Sequence, residues 1–98
     1  MSARDTYGGE ATYYDVGLGA CGTSHQNTDF VAALNMAQYS PDLCGRKIRV
    51  TGPDGQVDVT VADSCPGCGH GDLDLSPAAF QEIAPLSAGR IAVTWTFL

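Results

Sequence analysis

The sequence predicts a single mostly-β barrel domain, disulfide-supported and carrying one or two short helices. Three observations lead there. Short runs alternate apolar and polar residues with the two-residue period of strands. Turns rich in glycine and proline separate those runs. Four cysteines, an even number, stand in a chain of only 98 residues. Such a chain has room for one domain, and its modest core gains from covalent support.

Charge and hydropathy narrow the classes of partner. Five Lys and Arg stand against 11 Asp and Glu, a net charge of −6. No basic stripe is present, which argues against nucleic acid and anionic membrane surfaces. An acidic domain still suits neutral polymers or a basic protein partner. The longest apolar stretches fall far short of the ~20 residues that span a bilayer. Met1 to Asp5 is polar, with no apolar leader core, while the cysteines point to an oxidising compartment. The expectation is an extracellular protein whose leader has already been removed.

Residues 1–8 are polar and are expected to be disordered, leaving residues 9–98 as the domain. Glu10 to Tyr14, β-branched and aromatic, reads as the first strand. The next segment carries Gly17, Gly19 and Gly22 and reads as a loop pinned at Cys21, continuing to Asp29. Phe30 to Leu34 has the length of a buried strand, although periodicity alone leaves a helix open. Met36 to Tyr39 is expected to form one helical turn before Ser40-Pro41-Asp42. A hairpin follows. Ile48 and Val50 alternate with polar neighbours, Gly52-Pro53-Asp54-Gly55 turns the chain, and Val57, Val59 and Val61 alternate on the return. Ser76 as N-cap and Pro77 at the first position start a helix whose apolar face is Ala78, Ala79, Phe80, Ile83 and Ala84. Pro85 ends it. Arg90 to Leu98 is the last strand, with Ile91, Val93, Trp95 and Phe97 on one face. Trp95 is therefore expected in the core rather than against a ligand.

Cys65-Pro66-Gly67-Cys68 admits three readings. Zinc needs four convergent ligands, but Cys21, Cys44, His25 and His70 are scattered, so no metal is expected. A redox pair is expected at a helix N-terminus, whereas glycines at 67, 69 and 71 follow this one. The favoured reading is two structural disulfides, Cys21–Cys44 and Cys65–Cys68, one of three possible pairings. No cofactor is expected. Just beyond lies Asp72-Leu73-Asp74-Leu75-Ser76, whose alternation sends both leucines inward and both aspartates to the open face. An aspartate there can bind sugar hydroxyls or act as a general acid. It can equally cap the helix or bond backbone amides of the glycine-rich loop. Composition leaves both open.

Three blocks in order carry a family resemblance: Gly9 to Tyr14, Val61-Ala62-Asp63-Ser64-Cys65-Pro66-Gly67-Cys68, and Gly71-Asp72-Leu73-Asp74-Leu75-Ser76-Pro77 through Phe80. With the Ile91-to-Phe97 strand they cover nearly all of residues 9–98. The chain resembles the first domain of expansins, above all the single-domain loosenins, and more distantly barwin and RlpA-type proteins. The resemblance implies a six-stranded double-psi β-barrel with an open groove and non-hydrolytic loosening of cell-wall polysaccharide. Asp74 matches the aspartate on which expansin activity depends. Asp63, Thr12 and Tyr14 match groove residues, and His70 is expected at the groove rim. A groove aromatic of two-domain expansins is Cys65 here, and no counterpart of their flat second domain is expected.

Related endoglucanases carry a base four residues after the threonine of the first strand. Here that position is Val16, because Asp15 comes one residue early, and a shift of one turns a strand side chain to the other face. An inverting pair needs its two carboxyls roughly 6.5–9.5 Å apart with a water between. The resemblance thus implies an acid without a base, and no ordinary hydrolysis. The expected partner is cell-wall polysaccharide, cellulose or another β-glucan or chitin, with the protein acting as a monomer. Two rivals remain. Some single-domain relatives resemble inhibitors of papain-like cysteine proteases, which would use the Gly17-to-Asp29 and Cys65–Cys68 loops. RlpA-type transglycosylases and endoglucanases cleave glycan.

Overall fold

The computed structural model describes residues 5–98, so the expectation for residues 1–4 lies outside it. Six strands close a barrel: β1 (Tyr7–Tyr13), β2 (Val31–Asn35), β3 (Lys47–Gly52), β4 (Gly55–Cys65), β5 (Leu73–Leu75) and β6 (Ile91–Phe97). Around the barrel they run β1-β5-β2-β4-β3-β6, closed by β6 against β1. Two neighbouring pairs, β1 with β5 and β2 with β4, are parallel, and the other four are antiparallel. One helix, α1 (Pro77–Gln81), and two 3-10 turns lie outside the strands.

The alternation that predicted the strands also builds the core. Ile48 and Val50 pair with Val59 and Val57 across the hairpin, and Val50 meets Trp95 on the other side. Leu34, Leu73, Leu75 and Phe80 complete a closed apolar interior. Burying each such side chain contributes about 1.5–3 kcal/mol, the main favourable term in a domain this small. Trp95 is buried as expected, and its indole N–H donates to the Gly71 carbonyl at 2.9 Å. That approach demands glycine at 71, which sits at φ +86°, and an added Cβ would strike the Gly8 carbonyl.

Several boundaries differ from the sequence expectation, each for a tertiary reason. β1 begins at Tyr7 rather than Glu10, so Tyr7 and Gly8 belong to the barrel instead of a disordered segment. The Tyr7 ring lies 4.7 Å from Trp95 and 6.2 Å from Phe97, which anchors the early start. Phe30 stays outside β2 and is 45% exposed, although Val31 to Asn35 are all buried. Met36 to Tyr39 is a turn rather than a helical one. Asn35 organises it: its carbonyl accepts from Gln38 and Tyr39 N–H, and its side chain bonds Gln38 at both ends. The helix starts where expected, with Ser76 Oγ accepting from Ala79 N–H, but closes after five residues. Ile83 and Ala84 continue its buried face through tightened bonds to the Phe80 carbonyl.

Both expected disulfides are present. Cys21–Cys44 ties the long loop after β1 to the segment entering β3, and Cys65–Cys68 closes the loop leaving β4.

Candidate functional site

Strand register assembles the site. Thr12 on β1 pairs with Asp74 on β5, Asp74 with Ala33 on β2, and Ala33 with Asp63 on β4. These four residues form one row across four adjacent strands. Their neighbours Ala11, Leu73, Leu75, Ala32 and Leu34 point into the core, so the row lies on the outer face. Asp63 and Asp74 stand two strand spacings apart, about 10 Å between backbones. Ala33, the smallest of the four side chains after the strands are paired, forms the floor between them.

Asp63 reaches the row through an irregularity. Val57, Val59 and Val61 face inward, and unbroken alternation would send residue 63 inward too. Between Ala32 and Ala33 the register slips, Ala32 facing Val61 and Ala33 facing Asp63. Ala62 is the extra residue of this bulge, and the phase of the strand reverses after it. The loop after β1 holds the bulge in place. Cys21 N–H donates to the Ala62 carbonyl at 3.3 Å, and Ala20 N–H donates to Asp63 Oδ1 at 2.8 Å. Ser64 N–H donates to the same oxygen at 2.8 Å.

Asp74 accepts a hydrogen bond from Thr12 Oγ1 at 2.9 Å. Burial pushes its carboxyl above the usual carboxylate range and the Asp63 charge adds to this, while the Thr12 hydrogen bond and the Arg90 charge oppose it. Tyr14 follows β1, its N–H bonded to the Leu75 carbonyl at 3.1 Å. Its phenol is pushed up to about 12, first by burial and then by the Asp63 and Asp74 charges. The phenol is therefore a neutral donor flanked by two carboxylates. Tyr13 points the other way, its ring 4.8 Å from Phe80 and its hydroxyl on the Leu86 carbonyl.

The two aspartates of the Asp72-to-Ser76 segment divide the two readings left open. Asp72 accepts from Glu10 N–H at 2.9 Å and Gly69 N–H at 3.2 Å, which ties the glycine-rich loop to β1. Asp74 caps nothing, since Ser76 caps the helix. Val16 is half-buried, with its N–H on Asn27 Oδ1 at 2.8 Å, while Asn27 Nδ2 donates to Asp15 at 3.2 Å. Asn27 thus holds both residues, and an apolar side chain occupies position 16. His70 is exposed and makes no hydrogen bond among the described residues. Thr12, Tyr14, Asp63 and Asp74 are brought together. Sequence reasoning missed Ala33 and the Asn27 clamp; a small residue mid-strand and an Asn in a polar loop carry no signal without their partners. A cavity of about 520 Å³ bounded by Phe30, Arg49, Gln56, Val57, Asp58 and Glu82 lies on the β3–β4 side and includes none of the four.

Residues 6–95 match the family model described as lytic transglycolase. The chain belongs to this RlpA-like double-psi β-barrel family. Among curated relatives, a papain inhibitor from Streptomyces mobaraensis is 38% identical over 100 residues, spanning 92% of this chain and 70% of the inhibitor. Among solved structures, a Streptomyces papain inhibitor superposes with a TM-score of 0.87 at 36% identity, covering 96% of this chain and 94% of that one. A mutant Clavibacter michiganensis expansin in complex with cellohexaose superposes with a TM-score of 0.88 at 34% identity. That match covers 96% of this chain but 50% of the expansin, so the chain spans half of its length. The expected double-psi barrel and the expansin-like kinship are thereby established.

Proposed function

We propose that the protein is a secreted, loosenin-type member of the family that binds cell-wall polysaccharide in the Thr12–Asp74–Ala33–Asp63 groove and loosens it without hydrolysis. One observation carries this reading: Asp74 is a half-buried acid near Tyr14, while position 16, where the resemblance puts the base of related hydrolases, is an apolar valine held in the loop after β1 by Asn27. Acid and base together are what inversion requires. What remains is two carboxyls, at Asp74 and Asp63, a neutral phenol and a small floor, groups suited to hydrogen-bonding sugar hydroxyls. The expansin solved with cellohexaose shares this barrel, which supports glycan as the ligand class. A shallow groove without a broad aromatic platform predicts weak binding.

Retention on insoluble cellulose and chitin tests the reading. Asp74→Ala and Tyr14→Ala are each expected to lower retention several-fold with the barrel still folded by circular dichroism. Steady release of reducing sugar from a soluble β-glucan, abolished by Asp74→Asn, would sink the non-hydrolytic part and favour a glycan-cleaving enzyme.

A second reading has its own observation. The Streptomyces papain inhibitor matches this chain over 94% of its own length, against half for the expansin. In an inhibitor, the Gly17-to-Asp29 loop would make contact, and it carries Leu18 at 74% exposure. Sub-micromolar papain inhibition without glycan retention selects this reading over the first.

A further inference from the structure

The charges of the barrel are sorted by side. β5, which carries Asp74, lies opposite β3 in the strand order. Of the 5 Lys and Arg in the sequence, Arg46, Lys47 and Arg49 gather at β3, where Arg49 is paired with Asp58 at 2.8 Å. The groove side holds Asp63 on β4, Asp74 on β5, Asp72 just before β5 and Glu10 on β1. Its one described cation, Arg90 before β6, is paired with Glu10 at 3.1 Å.

The hydrogen bonds of the row make this sorting specific. Asp63 uses Oδ1 for both Ala20 and Ser64, and Asp74 uses Oδ1 for Thr12. Among the described residues no donor meets the Oδ2 of either. The groove therefore presents two open carboxylate oxygens on strands separated by about 10 Å. That separation is of the order of one disaccharide, the repeat at which same-face substituents recur along a β-1,4 chain.

We infer that the groove is selective for amino-sugar glycan, a β-1,4 chain bearing free glucosamine ammonium groups, which Asp63 and Asp74 bind one disaccharide apart. This rests on the polysaccharide reading above and names the substrate class of that same groove. An ammonium donates charge-assisted hydrogen bonds to both open oxygens, stronger than those of a neutral hydroxyl. The net negative field draws a cationic chain in and repels uronic-acid polymers. Neutral cellulose would bind through its hydroxyls alone.

Calorimetry of the whole protein with short oligosaccharides tests the inference, using glucosamine hexamer, N-acetylglucosamine hexamer and cellohexaose at low salt. The expected result is glucosamine hexamer bound roughly tenfold tighter than the two neutral hexamers, an advantage that fades as salt rises. Asp63→Asn keeps an Oδ1 acceptor for the Ala20 and Ser64 amides, so it folds while removing the charge, and it should abolish most of the advantage. Asp54→Asn changes net charge equally on the β3–β4 turn and should leave the advantage in place. Equal or weaker binding of glucosamine hexamer, with cellohexaose still bound, overturns the inference and leaves the polysaccharide reading standing. Equal losses in both variants also overturn it, because bulk charge then explains the preference. No binding of any hexamer overturns both.

Discussion

Asp74 differs from the exposed aspartates of the barrel in how firmly it holds a proton. Its folded carboxyl holds a proton more tightly than the unfolded one, because burial disfavours the charge. The folded state therefore binds more protons above the ordinary Asp value of 3.8, and stability contributed by the neutral form is lost as pH rises through the folded value. Asp74→Asn keeps an acceptor for Thr12 and removes the buried charge. Its melting temperature is expected to exceed that of the parent near pH 7 and to match it near pH 3. A lower melting temperature near pH 7 would show that the ionised carboxylate stabilises the fold. Neighbouring Asp63 teaches what a sequence conceals at this scale. Its alternation with Val57, Val59 and Val61 points it into the core, and family resemblance alone placed it in the groove. The bulge at Ala62 reverses its direction, and that bulge depends on Ala33 of another strand and on amides of the loop at Ala20 and Cys21.

Elements whose cause is local were legible. The β3–β4 hairpin carries its own turn, β6 its own alternation, and α1 its own cap and proline. Ser76 nevertheless does more than start a helix. It is fully buried, and its Oγ accepts from Ala79 N–H at 3.3 Å and Val31 N–H at 3.4 Å, joining α1 to the entry of β2. Ser76→Ala leaves both amides short of a partner and is expected to cost about 1–2 kcal/mol in urea denaturation. A loss of only a few tenths would mean that water or a tightened turn replaces the hydroxyl. The start of β1 was not legible, because Tyr7 becomes a strand residue only by meeting Trp95 at the far end of the chain. Met36 to Tyr39 was expected to form one helical turn but lies under the control of Asn35, whose side chain closes the turn.

The whole molecule depends unequally on its two staples. Cys21–Cys44 encloses a separation of 23 residues and Cys65–Cys68 one of 3. On the chain-entropy account the first restricts the unfolded state by roughly 3.5 kcal/mol and the second by roughly 2 kcal/mol. Replacing Cys21 and Cys44 together with Ala or Ser is thus expected to lower the unfolding free energy more than replacing Cys65 and Cys68. The first change should also weaken glycan retention, since the same loop supplies the amide that holds Asp63. Comparing denaturation midpoints of the two double variants checks the order, and a reversed order would locate the main restraint in the loop leaving β4.

The strand order also sets a schedule. β1 is synthesised first, yet its partners are β5 and β6, the last strands of the chain. Contacts this distant along the chain are slow to form, because loop closure precedes any gain from pairing. While the chain is being made, β1 has nothing to pair with, and β2 likewise waits for β4 and β5. The one early unit is the β3–β4 hairpin, the natural nucleus on which the remaining strands assemble. A chain emerging end-first from a ribosome or a translocation channel is then kept open until β6 is released, and closure of the barrel is a single late event.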